Sequence, residues 1–175
     1  MDVTAAAGRV VVGVDASLGG MQALRFAVAH ARASRRPLRA VRAWAVPNPW
    51  RDSARGAQRL RDEFARGAHR HVMTAFTNAF GAFPDDLPVE IMVPEGDPGP
   101  SLLGYAGSEA DLLVVGGRSA RFGRSNGPVT RYCLARARVP IVVVPPPGWV
   151  RAATIRRVAH EIERDLERLA RRPIA

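Results

Sequence analysis

The chain has 175 residues, 47% of them hydrophobic, and a net charge of +10. This length suits one domain with its own core, and the single cysteine, Cys133, excludes a disulfide framework. All 26 cationic side chains are arginine, which excludes a P-loop lysine, a Schiff-base lysine and a lysine general base. We find neither a secretory leader nor a bilayer-length apolar run, so we expect a cytoplasmic protein.

The first quarter of the chain has the pattern of a strand, a helix and a second strand. Residues 1–8 are small and polar and are predicted to be disordered. Val10–Val14 is a β-branched run that is apolar on both faces, which favours a central parallel strand. Residues 16–20 are predicted to form a loop, and Met21–Ala31 carries apolar residues at helical spacing. Leu38–Trp44 alternates apolar residues with arginine and is predicted to be the second strand.

Strands and helices continue to alternate along the rest of the chain. In order, we predict a helix at Ala54–Ala79, a strand at Val89–Val93, a short helix capped by Asp97 with Pro98 in its first turn, a strand at Leu112–Val115, a helix at Val129–Ala137 and a strand at Ile141–Val144. This alternation predicts an α/β domain over residues 9–147, with a five-stranded parallel sheet and helices on both faces. Ligands of such sheets bind outside the carboxyl ends of the strands.

Asp15 comes directly after the first strand, at this edge of the sheet. Its carboxylate could accept hydrogen bonds from a ribose hydroxyl or an adenine amino group. It could equally cap the following helix or hold the loop. The spacing leaves both roles open.

The segment from Gly116 to Val129 is the best candidate for phosphate binding. Its glycines let backbone N–H groups approach an anion, and the N-terminus of the next helix adds a favourable dipole. Arg118, Arg121 and Arg124 could neutralise phosphate charge. A plain strand-to-helix loop with solvated arginines is the alternative.

Other motifs carry little chemistry. Residues 123–127 match the G-x-S-x-G pattern of a nucleophile elbow, but the preceding strand ends too far upstream. His69 and His71 are two residues apart on a helix and cannot both face one metal ion. Cys133 has apolar neighbours and is interpreted as a packing thiol. We therefore predict neither a catalytic residue nor a metal site, and no enzyme.

Six segments, which span about residues 9–146, carry a family pattern in the same order. They are residues 11–17, Met21–Ala31, Val41–Trp44, Glu95–Pro98, Ala110–Gly116 and Val139–Val144. Together they resemble the universal stress protein family. The resemblance implies a Rossmann-like sheet of the adenine nucleotide alpha hydrolase type, with strand order 3-2-1-4-5. It also implies a homodimer formed largely through the fifth strands, Ile141–Val144.

A site for ATP or AMP between strands 1 and 4 follows from the same resemblance. By position, Asp15 and Val41 would meet the adenosine, and Gly116, Gly127 and Val129 would line the phosphates. The full candidate set is Asp15, Ala16, Val41, Gly116, Gly117, Arg118, Gly127, Pro128 and Val129. No metal is expected beyond the Mg²⁺ that accompanies ATP, and no activity beyond slow ATP hydrolysis, since the sequence identifies no catalytic base.

The phosphate segment departs from the family pattern at two positions. ATP-binding members have glycine, two residues, glycine, nine residues, then glycine followed by serine or threonine. Here Ser119 replaces the second glycine, Pro128 replaces the hydroxyl residue, and the loop to Gly127 is two residues shorter. Each lost donor to a charged phosphate costs about 1.5–3 kcal/mol. We therefore expect weak or absent ATP binding.

Residues 148–175 form a second departure. Ile155, Val158, Ile162, Leu166 and Leu169 recur every three or four residues, which predicts an amphipathic C-terminal helix. Such a helix is stable only when it packs, either on its own domain or on a second chain.

Three functions remain open at this stage. The first is a cytoplasmic, nucleotide-responsive dimer in stress response or signalling. The second is an interaction or scaffold protein that has lost nucleotide binding and acts through its dimer and C-terminal helix. The third is association with nucleic acid, because residues 118–138 hold six arginines and no acid, although no nucleic-acid-binding motif supports it.

Overall fold

Five strands alternate with four helices in the part of the chain that the structure describes. The computed structural model describes residues 8–47, 57–117 and 126–147. The elements in chain order are β1 (Val10–Gly13), α1 (Leu18–Ser34), β2 (Leu38–Val41), α2 (Ala57–Phe80), β3 (Val89–Met92), α3 (Pro98–Tyr105), β4 (Leu112–Gly116), α4 (Pro128–Arg136) and β5 (Ile141–Val144). The predicted C-terminal helix and most of the predicted disordered N-terminus lie outside the described residues. Gly8, however, is buried, and its carbonyl accepts a hydrogen bond from Arg36 Nε.

The strands form one parallel sheet in the order β3-β2-β1-β4-β5. Val10 of β1 pairs with Leu38 on one side and with Leu112 on the other. The predicted strand order and direction are confirmed. Because β1 and β4 are neighbours whose following helices lie on opposite faces, their carboxyl ends diverge around a crevice.

Two cores cover the two faces of the sheet. Val10 and Val12 pack with buried residues of α1 and α2, whereas Val11 packs with Leu102 of α3 and Cys133 of α4. All three valines of β1 are fully buried. A strand with both faces covered needs apolar residues at every position, which explains the unbroken valine run.

Helix α1 begins earlier than the sequence predicts. The Ser17 hydroxyl accepts a hydrogen bond from the N–H of Gly20 at 3.0 Å and caps the helix, so Leu18–Gly20 is helical and not part of a loop. The helix ends at Arg35, which adopts a left-handed conformation and whose N–H bonds back into the last turn. The side-chain cap compensates for the poor helix propensity of the two glycines.

Strand β2 is shorter than predicted, because it ends at Val41 rather than Trp44. Trp44 forms only an isolated parallel bridge with Glu95, and its indole N–H donates to the Val93 carbonyl at 2.7 Å. The alternating pattern therefore continues past the end of the regular ladder, as an extended segment.

Candidate functional site

A cavity of about 480 Å³ opens at the carboxyl ends of β1, β2 and β4 and at the first turns of α3 and α4. Seven of the nine predicted site residues line it, namely Asp15, Val41, Gly116, Gly117, Gly127, Pro128 and Val129. Ala16 lines a smaller neighbouring cavity instead, and Arg118 lies outside the described residues. The fold thus brings together residues that are more than 100 positions apart in the sequence.

Asp15 lies at the rim of this cavity. Its Oδ1 accepts a hydrogen bond from the Ser17 N–H at 2.8 Å, so the carboxylate holds the β1–α1 loop. Ser17, and not Asp15, is the helix cap. The side chain is exposed, so its second oxygen can still accept a bond from a ligand.

Glycines at the end of β4 allow the backbones of β4 and α1 to touch. A Cβ on Gly116 would lie 2.6 Å from the Gly19 carbonyl carbon and the Gly20 nitrogen. A Cβ on Gly19 would in turn collide with the Gly117 carbonyl. No side chain fits between these segments, so β4 ends at a cavity wall made of backbone.

The N-terminus of α4 faces the cavity. Gly127 is its N-cap residue and supplies no side chain, and Pro128 occupies the first turn without an N–H. The N–H groups of Val129 and Thr130 remain as first-turn donors without an intrahelical acceptor. The buried Thr130 hydroxyl donates to the Gly116 carbonyl at 3.1 Å, which ties α4 to the end of β4.

Residues 7–145 match the family model described as the universal stress protein family. The chain belongs to the universal stress protein family. Several solved structures of the family share the fold. UspA from Lactobacillus plantarum is 20% identical, with a TM-score of 0.59, over 79% of this chain and 97% of that one. At this identity the likeness bears on the fold alone.

Two further universal stress proteins of similar fold were solved with nucleotides. One, in complex with cAMP, is 27% identical, with a TM-score of 0.56, over 80% of this chain and 98% of that one. The other, from Arabidopsis thaliana with AMP bound, is 16% identical, with a TM-score of 0.54, over 81% of this chain and 93% of that one. A comparison with curated proteins gave no match.

Compared with the family pattern, this universal stress protein keeps a hydroxyl near the start of α4 but in a different position. The sequence predicts loss of the hydroxyl residue at Pro128. The structure has Thr130 two residues later, within the cavity wall. The Thr130 hydroxyl donates its hydrogen to the Gly116 carbonyl, so its oxygen can only accept further hydrogen bonds. It therefore has no hydrogen to donate to an anion. Ser119, the other departure, lies outside the described residues.

Sequence reasoning missed several cavity residues, chiefly Arg42, Pro98, Leu102 and Thr130. Ala43 was expected near the ligand edge, because it lies at the carboxyl end of the second predicted strand. Leu102 is an apolar residue of α3, so its position in the sequence predicts burial in the core. Its side chain does pack in the core, but it also closes the floor of the cavity.

The described residues offer neither a metal site nor an exposed thiol. Among residues 8–47, 57–117 and 126–147, no cluster of His, Cys, Asp and Glu could hold a metal ion. Burial raises the pKa of the Cys133 thiol, which keeps it protonated at neutral pH. No helix of the described segments is both long and apolar enough to cross a membrane.

Proposed function

We propose that this universal stress protein binds an adenosine monophosphate, AMP or cyclic AMP, in the 480 Å³ cavity and binds ATP only weakly. Occupancy of the cavity would be the input of a cytoplasmic stress-response or signalling role. The observation that carries the proposal is one cavity that combines the Asp15 carboxylate with the N-terminus of α4. A ligand with sugar or amino donors at one end and an anion at the other matches both.

The adenosine half of the ligand would lie against the ends of β1 and β2. Val41 and Leu102 give this part of the cavity apolar surface on which a purine can pack. The free oxygen of Asp15 would accept a hydrogen bond from a ribose hydroxyl or from the adenine amino group. Because the Asp15 carboxylate can only accept hydrogen bonds, it favours a ligand with a hydroxyl or amino group at this end of the cavity.

The phosphate half would lie at the first turn of α4. The N–H groups of Val129 and Thr130 and the positive end of the helix dipole suit one phosphate. Pro128 removes a further donor, which the second and third phosphates of ATP would need. The donor set therefore favours a monophosphate over a triphosphate.

The universal stress protein solved with cAMP supports this ligand class, because at 27% identity it covers 80% of the present chain. It shows that the same fold accommodates an adenosine ligand with a single phosphate.

Calorimetric titration with AMP, cyclic AMP and ATP tests the proposal. We expect AMP or cyclic AMP to bind more tightly than ATP. Asp15→Asn should weaken binding about tenfold or more, because it replaces a charged acceptor with a neutral one. Asp85→Asn, at an exposed carboxylate that does not line the cavity, is the matched control and should have no effect. Absence of heat with all three nucleotides, or tightest binding of ATP, would contradict the proposal.

We also propose that the protein forms a homodimer through β5. This strand lies at the edge of the sheet and is entirely apolar, so its free backbone groups can pair with a second copy. Phe26 is 38% exposed. It lies two helical turns after Gly19 and therefore on the same side of α1, the side that contacts the end of β4. Strand β5 is the neighbour of β4, so Phe26 lies near the sheet edge. Tyr132 of α4 lies against Gly99 of α3. Leu134 is 49% exposed and lies on the opposite side of α4, away from α3. Apolar surface thus flanks the edge on both faces.

A further inference from the structure

A second, smaller cavity of about 150 Å³ lies at the same sheet edge, between α1 and α2. Val14, Asp15 and Arg42 border both cavities, while His71, Thr74 and Asn78 of α2 line only the smaller one. None of these α2 residues belongs to the proposed adenosine site. His71, Thr74 and Asn78 are exposed residues of α2, so a ligand can reach them from solvent.

Arg42 is the charged group that this cavity leaves unbalanced. Its side chain is half-buried, and Nη1 donates to the Val14 carbonyl at 3.0 Å. No carboxylate of the described residues lies within ion-pair distance of the guanidinium, which has five N–H donors. A half-buried guanidinium with unused donors favours an oxyanion.

Asp15 does not cancel this charge. Its Oδ1 accepts the Ser17 N–H, and a Cβ on Gly20 would collide with the same oxygen, so the carboxylate lies on the first turn of α1. The positive end of the α1 dipole favours this position of the carboxylate. Asp15 forms no ion pair with Arg42, so the guanidinium keeps donors for an anion.

Helix α2 supplies the other polar groups from one face. His71, Thr74 and Asn78 are spaced three and four residues apart, which places them side by side on the helix. His71 Nδ1 lies 3.1 Å from the Gly67 carbonyl, which can only accept, so Nδ1 carries a hydrogen and Nε2 is the ring nitrogen left for a ligand. An unprotonated Nε2 is an acceptor, whereas Asn78 and Thr74 can donate.

We propose that this cavity is a binding site for inorganic phosphate, separate from the adenosine cavity. Arg42, Thr74 and Asn78 would donate to the unprotonated oxygens, and Nε2 of His71 would accept the P–OH hydrogen. Sulfate has the same shape and no O–H at neutral pH, so it would bind less tightly. Because Arg42 and Asp15 border both cavities, phosphate here would also alter the loop that holds the Asp15 carboxylate.

A phosphate titration of the full chain, followed by amide chemical shifts at constant ionic strength, tests this site. We expect saturable shifts centred on Arg42, His71 and Asn78, and weaker binding of sulfate. Thr74→Asp puts a carboxylate in the cavity and should weaken phosphate binding at least about tenfold, because like charges repel across a contact. Thr77→Asp makes the same change on an exposed threonine of α2 outside the cavity, and should leave the affinity within about twofold of the wild-type value.

Each other outcome overturns the assignment. Shifts centred on Val129 and Thr130 would place the phosphate at the larger cavity. Equal losses in Thr74→Asp and Thr77→Asp would reduce the effect to net charge. Sulfate binding equal to that of phosphate would remove the role given to His71. Nucleotide titrations run without phosphate test the adenosine cavity separately, because Thr74 and Thr77 do not line it.

Discussion

At Gly116 the end of β4 lies directly against the backbone of Gly19 and Gly20 at the start of α1. An alanine at this position would place its Cβ 2.6 Å from the carbonyl carbon of Gly19 and the nitrogen of Gly20, and neither backbone atom can rotate away. We expect Gly116→Ala to lower the free energy of unfolding by about 1–3 kcal/mol, because the helix must shift. Urea unfolding of both proteins measures this difference.

Gly104→Ala is the matched control for this prediction. Gly104 lies in α3, and a Cβ there would meet nothing within 4 Å. Alanine should raise stability there by up to about 1 kcal/mol, since it is the better helix former. Equal effects of the two substitutions would contradict the close contact at Gly116.

Cys133 gives a second prediction for a single side chain. The thiol is fully buried in the core between the sheet, α3 and α4, and this burial raises its pKa. A thiol-specific reagent should therefore react only after unfolding. Fast stoichiometric labelling of the native protein at neutral pH would contradict the packing role.

The raised pKa of Cys133 also fixes the sign of a pH effect. The folded state holds the thiol proton more tightly than the unfolded state, so this contribution to stability is complete below the unfolded pKa of about 8.5. It is lost as pH rises from there through the folded pKa. We expect the wild type to lose more stability above that pH than Cys133→Ala does, as measured by urea unfolding across pH. The reverse order would be inconsistent with a buried neutral thiol.

Asp15 illustrates how far one residue could be predicted. Its position after the first strand indicated the ligand edge, and the structure does place it at the cavity rim. Whether Asp15 caps the helix or holds the loop depended on which side chain, that of Asp15 or that of Ser17, accepts the hydrogen bond from the Gly20 N–H. Ser17 does so at 3.0 Å, and Asp15 then binds the Ser17 N–H. Competition between two side chains for one donor is not encoded in either residue alone.

Among the elements, the N-terminus of α4 sets the expected nucleotide preference. Pro128→Ser would restore one backbone N–H and a hydroxyl at the first turn, where the proposed phosphate lies. One additional bond to a charged phosphate is worth about 1.5–3 kcal/mol, so ATP affinity should rise about tenfold or more. Calorimetric titration with ATP measures the change.

The control for this element is Pro100→Ser. Pro100 lies in the first turn of α3, is exposed and does not line the cavity. ATP affinity should stay as in the wild type. An unchanged affinity in Pro128→Ser as well would mean that the missing donor is not what limits ATP binding.

Element boundaries were harder to predict than the elements themselves. The five strands were predicted within one residue at their starts and ends, apart from β2. The start of α1 was predicted too late, because glycine at 19 and 20 suggested a loop. Gly19 is required by the approach of the Gly117 carbonyl, a tertiary constraint that outweighs local propensity, and a Cβ on Gly20 would collide with the Asp15 carboxylate.

At the scale of the whole molecule, the exposed edge of β5 predicts self-association. We expect the protein to sediment at twice the chain mass of 18.9 kDa at micromolar concentration. Phe26→Glu should raise the dimer dissociation constant about tenfold or more, because it buries a charge beside the edge. Analytical ultracentrifugation over a concentration series measures both quantities.

Phe80→Glu is the control, since Phe80 is also 38% exposed but lies at the end of α2, the helix that packs on β3 at the opposite edge of the sheet from β5. Its dissociation constant should match the wild-type value. A monomeric wild type, or equal weakening by the two substitutions, would contradict the β5 interface.

The arginine excess has a structural use over part of the chain. Arg32 pairs with Asp86 and Arg39 with Glu90, while Arg36 donates to the Gly8 and Ala110 carbonyls. The Arg32 guanidinium lowers the pKa of Asp86 by hydrogen bonding to it. The high net charge is therefore not by itself a sign of a nucleic-acid surface, although it still favours anionic ligands.

The sequence alone determined the order of strands and helices along the chain, the parallel sheet and the sheet edge at which the cavity lies, because these follow from apolar periodicity and the handedness of βαβ crossovers. Only the tertiary structure decided which polar groups meet there. It tied the Thr130 hydroxyl to Gly116, held the Asp15 carboxylate at the start of α1 and left Arg42 with spare donors beside α2. These outcomes depend on distances between segments remote in the chain, which a one-dimensional pattern does not contain.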